Sequence, residues 1–463
     1  MVPRVVPQTW CVAGRWVAPV LAVIPLLLLA APFVAQGELR AGAAQVDITP
    51  PPGTPSAGYS ERMGQGMEGV HDPLLATALV LDTGEKMIVF VGVDHLGFNE
   101  EMVRAVKRII HANAITRRCE VYLGSSHTHS GGGAHIKLPD ILAQFISGPY
   151  DRGIYESYID GAAQSVLEAA ENLAPARVGV GYGHAPNLNA YRGDWPPDVE
   201  TRDDVAVIKV TASDSTPVAV LFNFAAHGTV LGASNLLFSA DYVGAARDHA
   251  AALIGGGVQP VFFNGAEGDV SPRPPSAEDS FERVDLMGAA LAEEVWDIWN
   301  ATETSDVLKI ETRRQPYSLT SKPLNVIVLN DRDGFVTIPG EMSCNYDTDI
   351  KRIGGELGFN QVSILGLTNG MGGYIVTPES WRHRTYESTI SFHGPFYGER
   401  MKDAVCAMLH ALKPWIGDAG PGNDDVASTR EAQQGRPLVD LLGALCARLA
   451  EVADGGKADT GNQ

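Results

Sequence analysis

His127 and His129 stand two residues apart in the run Ser125-Ser126-His127-Thr128-His129-Ser130-Gly131-Gly132-Gly133, directly after the short apolar stretch Val121-Tyr122-Leu123. A neutral imidazole offers a lone pair to a metal ion or accepts a proton, and a loop leaving a strand can carry it to a sheet edge. The glycines that follow remove side chains that would hold neighbouring backbone or a substrate away. A single histidine is more often structural than a ligand; two in one glycine-rich loop change that balance. The metallo-β-lactamase arrangement requires an aspartate two residues past the second histidine, and Gly131 stands there instead.

Four further runs end an apolar stretch in polar residues. Val218 to Ala226 leads into His227-Gly228-Thr229, and Val261-Phe262-Phe263 into Asn264-Gly265-Ala266-Glu267-Gly268-Asp269-Val270-Ser271-Pro272. Gly334 to Ile338 leads into Pro339-Gly340-Glu341, and a fifth run ends in Gly366-Leu367-Thr368-Asn369-Gly370-Met371-Gly372-Gly373-Tyr374. In open α/β sheets the carboxyl ends of strands are where ligands bind, so five such loops predict one site gathered there. Each has a plainer reading: Asp269 can shape a turn, Glu341 can be an acid in the first turn of a helix, and Tyr374 can be a core aromatic. Asp94 also follows a strand-like run; it suits a turn or cap, or a carboxylate that orients a histidine from behind.

The elements that must position these loops alternate. Met87 to Val93 reads as a buried strand, and Asn99 can cap a helix whose apolar positions Met102, Val103, Val106, Ile109 and Ile110 follow helical spacing. Tyr155, Tyr158, Ile159, Ala162, Ala163, Val166 and Leu167 form a second helical stripe. Further strands are expected at 205–212, 217–225, 259–263, 324–329, 335–338 and 362–366, and helices near 241–254, 284–299, 342–353 and 397–412. This alternation predicts an α/β fold: one large domain of mixed sheets flanked by helices, with no internal repeat visible in the sequence.

The chain has 463 residues, 45% of them hydrophobic and 19% charged, which is enough to bury a sizeable core. Its formal charge of −20 leaves no basic footprint for phosphates, so nucleic-acid binding is excluded as a working class; docking on anionic lipid is disfavoured, whereas a neutral lipid substrate is not. Arg4 and Arg15 precede an uncharged run from Trp16 to Gly37, so residues 1–36 are read as a signal peptide or a retained N-terminal anchor. Either places the body of the protein outside the cytoplasm: secreted, periplasmic or membrane-anchored. Beyond Cys11, the four cysteines Cys119, Cys344, Cys406 and Cys446 permit two disulfides in three connectivities, or stand as small buried thiols. Residues 417–463 open as a polar linker and end in a short amphipathic helix through Leu438, Leu441, Leu442, Leu445 and Leu449.

The ordered set of motifs resembles the neutral/alkaline non-lysosomal ceramidases. It begins at Ala44-Gln45-Val46-Asp47-Ile48-Thr49-Pro50 and runs through Gly58-Tyr59-Ser60, Gly69-Val70-His71-Asp72-Pro73-Leu74, and the His127, His227, Gly268-to-Pro272 and Glu341 runs. It closes on Gly366-Leu367-Thr368-Asn369, Tyr374 and Tyr386-Glu387. The resemblance covers a catalytic domain at 40–416. It implies a catalytic Zn2+ held by His127, His227, Glu341 and Tyr374, with His129 transferring a proton, Ser271 near the substrate's hydroxyls and Tyr386 stabilising an oxyanion. The implied reaction is hydrolysis of the amide of ceramide or a related N-acyl lipid to a sphingoid base and a fatty acid. Membrane association would then come through the N-terminal segment or the substrate. The family's Asn-Arg-Ser stretch is matched only loosely by Asn187-Leu188-Asn189-Ala190-Tyr191-Arg192, which predicts an active-site arginine missing or displaced. Two other readings stand beside it: a zinc hydrolase of the same fold acting on another amide or an ester, and an exported binding protein without turnover.

Overall fold

The computed structural model describes residues 38–413, apart from 194, 196–198, 200, 202 and 317–321. The leader read at 1–36 and the linker and helix read at 417–463 lie outside the described residues. No described helix is long and apolar enough to cross a membrane.

An eight-stranded sheet carries the first two thirds of the described chain. Its strands are β1 (Arg40–Asp47), β2 (Leu75–Asp82), β3 (Met87–Val93), β4 (Glu120–Ser125), β5 (Ala174–His184), β6 (Asp204–Ala212), β7 (Pro217–Phe224) and β8 (Gln259–Asn264), in spatial order β8-β7-β6-β5-β1-β2-β3-β4. A four-stranded sheet follows, β9 (Ile310–Pro316), β10 (Pro323–Leu329), β11 (Asp333–Thr337) and β12 (Gln361–Leu365), in chain order. The main helices are α1 (Glu100–Ala112), α2 (Arg152–Glu171), α3 (Tyr242–Ile254), α4 (Ser280–Ala301), α5 (Cys344–Glu356) and α6 (Tyr397–Ala411).

The sequence shows no repeat, but the topology does. Three times the chain makes two antiparallel pairings, crosses through a helix to a strand parallel to the third, and ends in a covering helix. β1 to α2 is the first unit and β5 to α4 the second. β9 to α6 is the third. Units one and two share a sheet through the β1–β5 pairing.

Side chains on successive strand positions point to opposite faces, and that period sorts the core. On β3, Val89, Val91 and Val93 pack under α1 and α2, while Ile88 and Phe90 face inward. On β7, Val220, Phe222 and Phe224 face α3 and α4, while Ala219 and Leu221 join the same inner layer. On β10, Val326 and Val328 lie under α5 and α6, and Ile327 and Leu329 turn inward. Each such side chain withdrawn from water contributes roughly 1.5–3 kcal/mol. The eight-stranded sheet folds over so that β3 and β8 cross closely: a Cβ on Gly92 would lie 2.5 Å from the Phe262 carbonyl oxygen. Asn99 caps α1 as its sequence implies, accepting from the Met102 amide at 3.1 Å. Cys119, Cys344 and Cys406 are free thiols, so no disulfide forms among the described residues; Cys446 lies outside them.

Candidate metal centre

All three units send their third and fourth strands to the same place. The loop after β4 carries His127 and His129, the loop after β7 carries His227, the loop after β11 carries Glu341, and the chain beyond β12 carries Tyr374. Glu341 and Tyr374 are held side by side by a short parallel pairing, Glu341–Met342 against Tyr374–Ile375. One buried side chain ties three loops together: Asn264, the last residue of β8, donates to the Ser126 carbonyl at 3.2 Å and the Ala226 carbonyl at 3.1 Å, and accepts from the Ala226 amide at 3.3 Å. Asn369, past β12, accepts from the Leu123 amide and donates its own amide to the Leu123 carbonyl, which fixes the third unit against β4.

His127 Nε2 lies 3.3 Å from Glu341 Oε2, and His227 Nε2 lies 3.4 Å from the same oxygen. The Tyr374 hydroxyl is 3.5 Å from His227 Nε2. His129 also reaches this focus, its Nε2 3.4 Å from His127 Nε2, and one ligand atom from each of the three histidines falls within 4.8 Å of the others. His127, His227 and Glu341 are buried. His127 holds a left-handed backbone at φ 63°, a conformation that a residue with a Cβ adopts only when its surroundings enforce it.

The hydrogen bonds fix the tautomers. His127 Nδ1 is 2.7 Å from the Leu96 carbonyl, and His227 Nδ1 is 2.8 Å from the Glu267 carbonyl. A carbonyl can only accept, so both Nδ1 atoms carry a proton, and in the neutral imidazole it is Nε2 that presents its lone pair to the focus. Two such lone pairs facing a carboxylate oxygen at 3.3 and 3.4 Å repel it unless a positive charge lies between them. Burial and the adjacent Arg192 drive His227 down to about 3, so its imidazole does not supply that charge by protonation. Burial and its histidine neighbours likewise hold His129 well below the ordinary histidine value. Burial and Glu341 push the Tyr374 phenol well up, so it meets the focus as a neutral hydroxyl. Two imidazoles, one carboxylate and an oxygen donor are a ligand set suited to a divalent cation such as zinc.

The arginine that the loose Asn187–Arg192 match left in doubt is present. Arg192 Nη2 lies 3.1 Å from His227 Nε2 and 3.1 Å from the Tyr374 hydroxyl, and donates to the Gly268 carbonyl at 3.0 Å. Glu387 holds its Nε at 3.1 Å. Arg192 follows the short strand Asn189–Tyr191, which pairs with Val270–Pro272, and that pairing rather than local spelling puts it there. Ser271 lies half-buried on the same ribbon opposite Ala190, beside Val270, whose carbonyl accepts from the His227 amide. Tyr386 opens a short helix and is 54% exposed, its ring 6.2 Å from that of Tyr374.

Two expectations are corrected. Asp94 orients no histidine: it accepts from the Leu75 amide at 2.8 Å and pairs with the buried Arg247. Asp269 does more than shape a turn, since it accepts from the Cys344 amide at 2.8 Å and from the Ser343 hydroxyl, capping α5 from a neighbouring unit. Asn264 and Arg192 are the residues whose place in the site the sequence did not disclose. An Asn at a strand end and an Arg after a tyrosine carry no spacing signal; only the pairings reveal them.

A fold that gathers three units around a carboxylate and three histidines able to bind a metal ion defines an α/β protein with a candidate metal centre. Residues 39–290, more than half of the chain, match the model of the neutral/alkaline non-lysosomal ceramidase N-terminal region, and the chain belongs to that family. It is 29% identical over 261 residues to neutral ceramidase A of Dictyostelium discoideum, covering 50% of this chain and 36% of that protein. It is 25% identical over 236 residues to a neutral ceramidase of Oryza sativa subsp. japonica, covering 48% and 29% respectively. The matched part thus spans about a third of the length of these relatives. Among solved structures, the neutral ceramidase from Pseudomonas aeruginosa superposes with a TM-score of 0.72 at 18% identity, over 84% of this chain and 76% of that one. A ceramidase complexed with C2 superposes at 0.71 and 17% identity, over 83% and 77%.

Proposed function

We propose that the chain is an exported zinc hydrolase that cleaves the amide of ceramide or a related N-acyl lipid, with residues 40–416 as its catalytic unit. The observation that carries this reading is the convergence of His127 Nε2 and His227 Nε2, both as lone-pair donors, on one oxygen of Glu341. Family membership supplies the substrate class. A zinc ion held by His127, His227, Glu341 and Tyr374 would act as Lewis acid toward the amide carbonyl and lower the pKa of water to about 7.

The chain's own residues do the rest. The carbonyls of Leu96 and Glu267 keep both imidazoles in the ligating tautomer. His129, neutral and beside the focus, takes a proton from the attacking water and returns it to the leaving nitrogen, which must be protonated to depart as an amine. Tyr386, at the open side of Tyr374, donates its phenolic proton toward the oxygen that gains charge in the tetrahedral intermediate. Arg192 offers a guanidinium edge to the same region and is held in aim by Glu387 and the Gly268 carbonyl. Ser271, on the ribbon bearing Arg192, would meet hydroxyls of the substrate.

The test couples elemental analysis to a substrate panel on the wild type and His227→Ala. The wild type is expected to hold one zinc per chain and to release fatty acid from a labelled ceramide, and the variant to lose both together. Turnover of short N-acyl amides alone would replace the lipid reading by the broader hydrolase. Activity that persists in metal-free protein would remove the zinc mechanism and turn attention to Ser271 as a nucleophile.

A further inference from the structure

His127 and His227 are each locked by a carbonyl at Nδ1, but His129 is not: its Nδ1 is buried and has no hydrogen-bond partner. Apart from the 3.4 Å approach of its Nε2 to His127 Nε2, no hydrogen bond of its own aims this ring. One wall is Gly58, where a Cβ would sit 2.5 Å from His129 Nδ1, so only glycine at φ 106° lets the segment pass. The next residue, Tyr59, lies edge-on to the imidazole at 4.8 Å and 61°, and its hydroxyl donates to the Leu231 carbonyl at 2.9 Å.

Behind this wall is Arg62, a buried arginine that forms no ion pair with any described residue. Its guanidinium instead spans neutral oxygens. Nε donates to the Ala233 carbonyl at 3.0 Å and Nη2 to the Gly232 carbonyl at 3.1 Å. Nη2 also meets the Ser130 hydroxyl, and Nη1 donates to the Ser56 hydroxyl and to the carbonyl of His129 itself. The cation stands 4.9 Å from the centre of the Tyr59 ring. Loop 230–233 is itself anchored: Asp241, at φ 58° and ψ −154°, accepts from the Val230 and Leu231 amides at 3.2 and 2.9 Å. A chain of hydrogen bonds therefore runs from Asp241 through loop 230–233 to Tyr59 and Arg62, and from Arg62 to the His129 backbone.

Burying a guanidinium without a carboxylate is costly, and a hydrophobic residue of similar size would avoid the penalty. What arginine alone provides is a rigid fork that reaches acceptors on three separate segments at once; lysine presents three donors from one point and cannot span them. We infer that Arg62, with Tyr59, is a positioning residue that aims the His129 imidazole at the reacting nitrogen. The inference rests on the reading of His129 as the proton-transfer group.

The experiment uses the full chain as wild type, Arg62→Lys, Arg62→Met and Tyr59→Phe, each carrying 15N-labelled histidine, with His129 assigned by difference against His129→Gln. Zinc content and the His127 and His227 signals should be unchanged in every folded variant, while the His129 signal shifts or broadens. With ceramide or a short N-acyl amide, kcat should fall about 10-fold to 100-fold with KM within about twofold, as expected for a displaced general acid–base group. Arg62→Lys should fall between wild type and Arg62→Met, and it carries the test alone if Arg62→Met does not fold. His129 signals that match the wild type in Arg62→Lys and Tyr59→Phe would overturn the inference, as would a loss of kcat that tracks loss of zinc. If the wild type cleaves none of the amides, the proposed function falls, and the His129 signal still decides whether Arg62 positions the ring.

Discussion

The two ends of the strands are both rich in ionisable groups, yet they are built on opposite principles. At the amino-terminal edge of β3 and β4, Lys86 pairs with Glu120 at 3.3 Å and Arg40 with Asp82, beside an open cavity of about 860 Å³ lined also by Arg118 and Glu171. Both of these pairs match a positive group with a negative one. At the carboxyl ends, lone pairs of His127 and His227 crowd a single oxygen of Glu341, and the fully buried Glu267 carboxyl leaves both oxygens without partners. Burial and Glu341 raise Glu267 well above the usual carboxylate range. The lesson is that charge density does not mark the working end. A crowd of buried acceptors around one carboxylate does, because it needs donors or a cation to be stable.

The sharpest way to break this contrast is at a ligand. Glu341→Gln should release the metal and reduce amide hydrolysis to the buffer background, measured by elemental analysis and product release; retained zinc with unchanged turnover would mean that the acceptor cluster is not the metal centre. Next in size is Tyr386→Phe, which keeps the ring and removes one donor. Its kcat should fall about 100-fold to 1000-fold with metal content unchanged, the usual effect of losing an oxyanion donor.

A smaller effect separates burial from ligation. Burial lowers the His135 imidazole to about 4. Below an ordinary histidine value near 6.5 the unfolded chain takes up a proton that the folded chain refuses, so folded stability falls as pH drops from about 6.5 to about 4. Urea melts of metal-free protein should show this group's share, on the order of 3 kcal/mol across that window. In His135→Phe the dependence should flatten; an unchanged slope would remove His135 as its source. Smallest of all, Lys86→Ala at the paired end should change stability by about 0–1 kcal/mol and leave turnover alone. A large loss of activity there would erase the distinction between the two ends.

Much of this arrangement is legible in the sequence. Met87–Val93 is a strand at the bounds its apolar run suggested, and the Asn99 cap and the stripe on α2 follow their spacing because each element buries one continuous face. Strands with weak apolar signals escaped: β5 alternates glycine with Val178, Val180 and Tyr182, and β9 is largely exposed through Glu311 to Gln315. The His127, His227 and Glu341 loops could be found because each follows a strongly apolar strand. Arg192 could not be placed, since its position is set by a three-residue ribbon that pairs across the chain. The triple topology is likewise invisible in residue identities, because a period-two face accepts Val, Ile, Leu or Phe alike.

Because each of the three units contributes to the same focus, no single unit contains the full set of donors. An ion bound there would act as a clasp between the two sheets, and its release should loosen their join before the shared inner layer melts. Free zinc at a hundred times its dissociation constant would add about 2.7 kcal/mol to the folded state. Occupancy of the centre and integrity of the whole chain would then be read by one and the same titration.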